Sequence, residues 1–347
     1  MTTGNARYHV LRVRDVVEET ADAKSLVFDV PQDLADTFHY RPGQFLTLRL
    51  PVEGRHVPRC YSMSSAPSLD AAPRVTIKRV NGGRGSNWVC DRVRPGDTLE
   101  VMAPAGVFTP RSLEGDFLLF AGGSGVTPVF SILRSVLANA AGRVCLIYAN
   151  RDERSVIFRD TLRALAAEHP GRLTVIHWLD SVQGVPTVAQ LAALARPWRD
   201  AQAFICGPAA FMDGAVAALE AVDMAPERVH VERFMSLPDE ETLAELPADT
   251  TPAAVAEASI EVTLDGSVTT IACSGDETLL AAMRRAGLNP PASCEAGMCA
   301  SCMCQVTDGE VHLRHNDVLD NNDIARGWTL GCQAVPMSAQ VRIKFPE

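Results

Sequence analysis

The first 110 residues alternate apolar and polar side chains in short runs that turn-forming residues interrupt. Alternation with a period of two is typical of strands that bury one face. Breaks occur at Tyr40-Arg41-Pro42-Gly43 and at Arg94-Pro95-Gly96-Asp97. The predicted strands are 8–17, 25–30, 45–50, 60–64, 74–80 and 98–103. With one short helix over 86–93, this pattern predicts a β-barrel domain over residues 1–110.

The pattern changes after Asp116, where short apolar runs alternate with longer amphipathic segments. The predicted strands are 117–121, 144–148, 173–178, 203–206 and 229–234. The predicted helices between them are 128–139, 158–168, 188–195 and 210–221. Strands that alternate with helices indicate a parallel α/β sheet of the dinucleotide-binding type, which we assign to residues 111–235.

Residues 236–257 carry six acidic side chains and no lysine or arginine. Because such a segment has little apolar surface to bury, we interpret it as a flexible linker. Beyond it, the predicted strands 260–264 and 268–271 flank Asp265-Gly266, a hairpin signal. A helix is predicted over 277–286. Residues 258–347 therefore form a third predicted domain, and the linker would let it move between an electron donor and an acceptor.

Composition excludes several functional classes. The 347 residues are 47% hydrophobic and 21% charged, as in globular proteins, and the net charge is −10. A chain without a basic stripe is not expected to bind nucleic acid. The N-terminus has no secretory signal pattern, and no apolar run reaches the ~20 residues of a membrane span. We expect a cytoplasmic protein without membrane insertion. The acidity of the C-terminal domain fits either docking onto a basic partner or a solvated surface.

Ten cysteines divide into five scattered residues and five within the last 54 residues. Cys294, Cys299 and Cys302 have the spacing C-x4-C-x2-C, and Cys332 follows. This is the plant-type [2Fe–2S] spacing, whereas the alternative, structural zinc, usually uses paired C-x2-C motifs. Small residues between the ligands would let backbone amides face the sulfurs. Cys304 matches no ligand position and is expected to point inward from a strand.

A flavin site is predicted around Arg59-Cys60-Tyr61-Ser62. Tyr61 would cover the isoalloxazine ring, Ser62 would reach its N5 region, and Arg59 would neutralise a phosphate. Lys78 or Arg79 would add charge at the diphosphate, and Gly83-Arg84-Gly85-Ser86 would open a helix toward an anion. We therefore assign Arg59, Tyr61, Ser62, Lys78, Gly85 and Ser86 to the flavin. Taken alone, Arg59–Ser62 would fit an ordinary strand.

A nicotinamide site is predicted where two later strands end. Gly122, Gly123, Gly125, Thr127 and Pro128 lie between a buried strand and a helix, where a diphosphate can approach the backbone. Taken alone, they would also fit a tight turn. Cys206, Gly207 and Pro208 follow a strand at the same edge of the sheet. Arg151 could meet a 2′-phosphate, but the neighbouring Asp152 and Glu153 disfavour that anion. NADH is therefore favoured over NADPH.

Together these segments resemble the ferredoxin–NADP reductase superfamily. The resemblance depends on Tyr40–Phe45, Arg59–Ser62 and Gly83–Ser86, while residues 258–347 resemble plant-type ferredoxins. It implies an α+β β-grasp fold for the third domain. It also implies that Cys206 lies near the nicotinamide and Phe234 beside the flavin. The alternatives are that Cys206 is a small buried hydrophobe and that Phe234 packs in the core.

The order of flavin, nicotinamide and ferredoxin domains resembles the reductase components of bacterial oxygenases, in particular those of 3-ketosteroid 9α-hydroxylases. The supporting stretches are Arg59–Ser62, Ser86–Trp88, Tyr148–Asp152, Ser155–Phe158 and Phe204–Pro208. The resemblance implies a monomeric reductase that uses FAD, NADH and a [2Fe–2S] cluster to feed a Rieske-type oxygenase. Two alternatives stay open: a reductase of the phenylacetyl-CoA epoxidase type, which feeds a di-iron oxygenase, and a redox sensor without turnover.

Overall fold

The computed structural model describes residues 8–234, 255–316, 318–319 and 321–345. The chain divides into two compact units. The first contains residues 1–52, 61–104 and 108–234, and the second contains 53–60, 105–107 and 235–347. Most of the predicted flavin domain and nearly all of the predicted nicotinamide domain therefore share one compact unit.

The N-terminal part forms a six-stranded sheet in the order β4-β3-β6-β1-β2-β5. β1 pairs antiparallel with β2 and β6, and β2 pairs antiparallel with β5. The elements are β1 (Tyr8–Thr20), β2 (Ala23–Asp29), β3 (Phe45–Val52), β4 (Arg55–Ser62), β5 (Arg74–Lys78), α1 (Arg84–Arg92) and β6 (Thr98–Met102). Leu11 and Val13 are buried in β1, whereas Arg12 and Arg14 between and beside them are exposed. The alternation predicted from sequence is thus confirmed.

The next part is a five-stranded parallel sheet in the order β11-β10-β7-β8-β9. Its strands are β7 (Phe117–Gly122), β8 (Val144–Asn150), β9 (Leu173–Leu179), β10 (Gln202–Cys206) and β11 (Val229–Glu232). Its helices are α2 (Val126–Asn139), α3 (Arg159–Glu168), α4 (Asp180–Gln183), α5 (Val188–Ala195) and α6 (Ala209–Glu220). The parallel α/β fold is therefore confirmed.

Helices cover both faces of this sheet, which explains why its strands read as continuous apolar runs. In β7, Phe117 and Leu119 pack into the core under α2, while Leu118 and Phe120 pack into the core under α6. All four side chains are fully buried, and each contributes about 2 kcal/mol through the apolar area it removes from water. The two packed faces hold the strand ends rigidly.

The C-terminal part is a mixed five-stranded sheet in the order β13-β12-β18-β14-β16, with a two-stranded β15-β17 ribbon. Its elements are β12 (Glu257–Leu264), β13 (Ser267–Ser274), α7 (Leu279–Arg285), β14 (Met303–Asp308), β15 (Val311–Leu313), α8 (Asn321–Ala325), β16 (Trp328–Leu330), β17 (Ala334–Pro336) and β18 (Gln340–Lys344). Asp265 and Gly266 both have positive φ, at 50° and 74°, as the predicted hairpin turn requires. The ferredoxin-like fold of this part is confirmed.

Several predicted element boundaries are wrong by a few residues. The strand predicted over 60–64 is β4, Arg55–Ser62, which begins five residues earlier and continues through Pro58. The short helix α4 was not predicted. Most of the predicted linker lies outside the described residues, and its last residue, Glu257, begins β12. Among the described helices, none has both the length and the hydropathy that crossing a bilayer requires.

Candidate cofactor sites

The four cysteines predicted as iron ligands converge in the C-terminal part. Cys294, Cys299 and Cys302 lie on the loop between α7 and β14, and Cys332 follows β16. β14 pairs antiparallel with β16, and the Gly331 amide donates to the Cys302 carbonyl at 2.9 Å. This pairing brings the distant Cys332 next to the loop.

The four sulfurs form two interacting pairs, Cys294 with Cys299 and Cys302 with Cys332. The Cys294 thiol donates to Cys299 and lowers the pKa of Cys299, while the same interaction raises the pKa of Cys294. The Cys302 sulfur likewise raises the pKa of Cys332. In a two-iron cluster each tetrahedral iron needs two thiolates in addition to the shared sulfides, so two pairs are the donor set that this group requires.

The backbone of the cysteine loop turns toward the sulfurs. The Ala296 amide donates to the Cys294 sulfur at 3.4 Å, and the Cys294 amide donates to the Cys299 sulfur at 3.4 Å. Gly297 has φ +76°, and a Cβ there would come within 2.5 Å of the His315 carbonyl oxygen. Among the described residues, no three cysteine, histidine or carboxylate side chains are arranged around a single metal position. Amide donors that face sulfur suit an iron–sulfur cluster, in which hydrogen bonds to the sulfurs tune the reduction potential.

Cys304 lies in β14 and is fully buried among core side chains. Burial raises the pKa of the Cys304 thiol to about 12, so it stays protonated. The prediction that it points inward is confirmed.

The predicted flavin residues lie at the end of β4. Arg59 and Tyr61 are half-buried and, two residues apart on one strand, lie on the same face, while Ser62 is buried. The Arg59 guanidinium donates to the Pro58 carbonyl at 2.7 Å. The binding of a flavin by these residues stays a prediction.

The helix predicted to receive a phosphate is α1, nine residues long. Its N-cap, Gly83, has no side chain to bond the first amides, and Gly85 and Ser86 in its first turn are buried. The Ser86 hydroxyl accepts from the Val80 amide at 3.2 Å and so holds the preceding turn. Uncapped amides at a helix N-terminus fit an anion.

Lys78 and Arg79 have different surroundings. The Arg79 guanidinium donates to Asp91 of α1 on the surface. The Lys78 ammonium is 3.7 Å from the Asp22 carboxylate. It also lies next to Gly123 of the nicotinamide segment, because a Cβ placed on Gly123 would be 3.9 Å from the ammonium nitrogen. Lys78 therefore lies between the flavin and the nicotinamide segments.

The two nicotinamide segments contact each other directly. A Cβ on Gly125 would lie 2.1 Å from the Cys206 carbonyl oxygen, and one on Gly122 would lie 2.6 Å from the Pro208 ring. The Gly207 and Gly122 backbones are similarly close, since a Cβ on Gly207 would be 2.9 Å from Gly122. Only glycine fits these positions, so the glycines let the two segments pack against each other at the carboxyl edge of the sheet, the edge where dinucleotides bind in this architecture.

Thr127 and Pro128 are buried in the first turn of α2. The Thr127 hydroxyl donates to the Ser124 carbonyl at 3.0 Å, which closes the glycine-rich turn. The Gly123 carbonyl accepts from the Tyr148 hydroxyl at 3.1 Å. These bonds fix the shape of the turn, and direct binding of the nucleotide by Thr127 and Pro128 stays a prediction.

Ser62, Cys206 and Glu232 come together from the two parts of the first unit. The Ser62 hydroxyl donates to the Glu232 carboxylate at 3.3 Å, and Cys206 and Glu232 are register partners on β10 and β11. Burial raises the pKa of Glu232 to about 8, although the Ser62 hydrogen bond opposes this. Burial and the Glu232 charge also raise the pKa of Cys206. A carboxyl group that titrates near neutrality, bonded to a hydroxyl, can hold or release a proton here.

Glu232 was not predicted from sequence as a site residue. The available signal was a carboxylate at the carboxyl end of the last parallel strand, an edge where ligands collect. Phe234, two residues further, is 46% exposed, so the alternative that it packs in the core is wrong. Its contact with a flavin stays a prediction.

Comparison with known families matches all three parts of the chain. Residues 10–109 match an oxidoreductase FAD-binding domain, 119–217 an oxidoreductase NAD-binding domain, and 262–337 a 2Fe-2S iron-sulfur cluster binding domain. The chain therefore has the three cofactor domains expected from its sequence and is an oxidoreductase built for electron transfer.

Relatives match nearly the whole length. The chain is 52% identical over 342 residues to the 3-ketosteroid-9-alpha-monooxygenase ferredoxin reductase component of Rhodococcus rhodochrous, covering 98% of this chain and 97% of that protein. It is 35% identical to a component of the 1,2-phenylacetyl-CoA epoxidase of Escherichia coli, covering 97% and 98%. The solved phthalate dioxygenase reductase, at 23% identity, has the same fold with a TM-score of 0.59 and covers 97% of this chain and 98% of that one. The chain thus belongs to the family of three-domain ferredoxin reductase components that includes those of the 3-ketosteroid-9-alpha-monooxygenases.

Proposed function

We propose that this protein oxidises NADH and passes electrons singly to a Rieske-type terminal oxygenase of steroid 9α-hydroxylation. The observation that best supports a one-electron output is the convergence of three cysteines on one loop with Cys332, which the β14–β16 pairing brings beside them, in a segment that matches a 2Fe-2S iron-sulfur cluster binding domain. Such a two-iron cluster exchanges one electron at a time. The 52% identity to a 3-ketosteroid-9-alpha-monooxygenase reductase component favours the steroid system.

The residues proposed to hold each group are those assigned from the sequence. Arg59, Tyr61, Ser62, Lys78, Gly85 and Ser86 would hold FAD. Gly122, Gly123, Gly125, Thr127, Pro128, Cys206, Gly207 and Pro208 would hold the nicotinamide dinucleotide. Cys294, Cys299, Cys302 and Cys332 would bind the irons. When bound, FAD supplies the step from a two-electron donor to a one-electron acceptor.

The side chains at the junction of the two segments prepare that step. Gly125 and Gly207 let the two nicotinamide segments pack closely against each other, and this packed edge would bind the dinucleotide in a fixed position. Ser62 and Glu232 can hold a proton beside the reacting atoms because the Glu232 pKa is raised to about 8. Tyr61 would cover the flavin ring, and Phe234 would lie beside it. Tyr61, Ser62, Cys206 and Phe234 are therefore the proposed catalytic residues.

The preference for NADH is supported by acidic groups at the ends of β8 and β9. One carboxylate oxygen of Asp180 is buried and has no hydrogen-bond partner among the described residues. The Ser181 amide donates to the Arg151 carbonyl at 2.9 Å, which places Asp180 beside the end of β8. Such a carboxylate accepts hydrogen bonds from ribose hydroxyls and repels a 2′-phosphate.

Asp180→Asn tests this role. Loss of a charged acceptor should raise the KM for NADH about tenfold, because a hydrogen bond to a charged group contributes about 1.5 kcal/mol. The kcat at saturating NADH should not change. The control is Asp200→Asn, a substitution at an exposed position before β10. Equal KM values in the two variants would contradict the assignment of Asp180.

Four further features belong to the proposal. The domains are residues 1–110, 111–235 and 258–347, and the segment between the second and the third is the linker, except that Glu257 already belongs to β12. The protein acts as a monomer in the cytoplasm, and its acidic C-terminal domain docks on the oxygenase.

The function is tested by mixing the purified holoprotein with NADH and candidate oxygenases. NADH should bleach the flavin and cluster absorption within the mixing time, and oxygen uptake should follow only with a Rieske-type steroid oxygenase and its substrate. Uptake only with a di-iron phenylacetyl-CoA epoxidase would overturn the proposed partner. If the flavin and the cluster stay oxidised in the presence of NADH and NADPH, the protein has no turnover, and a redox sensor is favoured.

A further inference from the structure

Asp22 occupies the tight turn between β1 and β2 of the flavin part. Its backbone amide donates to the Thr20 hydroxyl at 3.3 Å, and that hydroxyl donates to the Asp22 carboxylate at 2.7 Å. The Arg79 amide donates to the Asp22 carbonyl at 2.7 Å. The turn therefore holds the carboxylate in one place.

One oxygen of this carboxylate faces two cations from different parts of the unit. The Lys78 ammonium lies 3.7 Å from Oδ2, and the Arg151 guanidinium lies 3.3 Å from the same atom. Lys78 comes from β5, and Arg151 comes from the loop after β8 of the nicotinamide part. Asp22 is 29% exposed and Lys78 15% exposed, whereas Arg151 is 72% exposed. Asp22 thus links the two parts electrostatically.

Both cations adjoin segments that we assign to the dinucleotide. Lys78 is adjacent to Gly123 in the glycine-rich turn that begins α2. Arg151 follows the second strand of the parallel sheet, the position at which proteins of this architecture distinguish a ribose hydroxyl from a 2′-phosphate. The neighbouring Asp152 accepts through Oδ1 from the Ser155 amide and hydroxyl at 2.9 and 3.0 Å, and its charge also interacts with Arg151.

We propose that Asp22 is a specificity-determining residue that disfavours 2′-phosphorylated nucleotides by holding and neutralising Arg151. This inference rests on the proposed function, since it concerns the nucleotide that the reductase oxidises. A 2′-phosphate can bind Arg151 only by displacing it from Asp22, and the remaining carboxylate repels the phosphate. NADH has no 2′-phosphate, so the pairing of Arg151 with Asp22 does not weaken its binding. Arg151, which taken alone would predict NADPH, is therefore compatible with NADH.

The test is a double-mutant cycle of Asp22→Asn and Arg151→Ala in the holoprotein, with NADPH and NADH as substrates. Asp22→Asn should lower the KM for NADPH about fivefold, because the free energy of one exposed ion pair no longer has to be overcome. It should change the KM for NADH less than about twofold. In the Arg151→Ala background, Asp22→Asn should leave the KM for NADPH unchanged. Inhibition by 2′-phospho-ADP-ribose against ADP-ribose should follow the same pattern.

The matched control is Asp29→Asn, which removes a carboxylate on the adjacent strand that pairs with Arg12 and Arg14, each at 3.9 Å. Its NADPH and NADH constants should not change. The proposal would be overturned if Asp22→Asn lowered the KM for NADPH in the Arg151→Ala background as well. It would also be overturned if Asp22→Asn lowered the KM values for NADPH and NADH equally. If Asp22→Asn binds FAD poorly, Asp22→Ser with measured flavin content replaces it. Failure of the wild-type protein to oxidise NADH would instead count against the proposed function.

Discussion

Replacing Glu232 by glutamine should abolish a large pH dependence of stability. Glu232 is bonded to Ser62 at 3.3 Å and lies beside Cys206 in the register of β10 and β11. Burial raises the pKa of this carboxyl from 4.5 to about 8. The folded protein therefore binds the Glu232 proton more tightly than the unfolded chain does.

The sign and size follow from proton linkage. Because the folded pKa is raised, the contribution to stability is fully present below pH 4.5 and is lost as the pH rises through about 8. Each pH unit in this window corresponds to about 1.4 kcal/mol, so the total loss between pH 5 and pH 8 is about 4 kcal/mol. A glutamine keeps the shape and the bond to Ser62 but carries no charge. E232Q should therefore become increasingly more stable than wild type as the pH rises.

The measurement is urea unfolding of the holoprotein at half-unit steps from pH 5 to pH 9, followed by the fluorescence of released flavin. Flavin release reports the unit that contains Ser62 and Glu232. The control is E227Q, which changes an exposed glutamate just before β11. Parallel pH curves for wild type, E232Q and E227Q would show that Glu232 is already charged in the folded protein at low pH and would refute the reasoning.

Two more predictions follow from the geometry of the sites. Gly125→Ala should abolish NADH-driven flavin reduction while retaining FAD, because its Cβ would lie 2.1 Å from the Cys206 carbonyl oxygen. The control is Gly214→Ala in α6, which should leave the rate unchanged because the nearest atom outside the helix would be 3.9 Å from its Cβ. Cys299→Ser should lower the iron content and abolish cytochrome c reduction while sparing ferricyanide reduction at the flavin, whereas Cys304→Ala should retain both activities. Equal rates in either pair of variants would contradict the corresponding site.

The sequence predicts best what depends on local pattern. The parallel sheet follows from buried runs such as Phe117–Ala121 because both faces of those strands are covered by helices. The hairpin is predictable because Asp265 and Gly266 readily adopt the positive φ of a tight turn. The cysteine spacing predicts that the three cysteines lie together on one loop, which the structure places between α7 and β14. In each case the residues that make the structure are neighbours along the chain.

What the sequence does not reveal are contacts between distant segments. Ser62 and Glu232 are 170 residues apart, and their contact depends on how the flavin sheet meets the parallel sheet within one unit. Lys78 was assigned to the flavin diphosphate from its strand, yet its ammonium lies beside Asp22 and Gly123. Its position depends on a turn and a loop that no pattern near Lys78 encodes.

The junction between the flavin and nicotinamide parts is itself closely packed. The Ser131 hydroxyl of α2 donates to the Ser65 carbonyl at 2.6 Å, and the Tyr40 hydroxyl donates to the Ser65 hydroxyl at 2.6 Å, both in buried surroundings. The Arg74 guanidinium lies over the ring of Phe158, 5.5 Å from its centre, and Phe158 is held at φ +60°. Opening this junction would break the buried Ser131–Ser65 hydrogen bond and remove the Arg74–Phe158 contact, and leaving a buried hydrogen-bonding group unpaired costs about 1–3 kcal/mol. The distance between the flavin and nicotinamide sites is therefore set by the packed fold, which places the reacting groups before the substrate arrives.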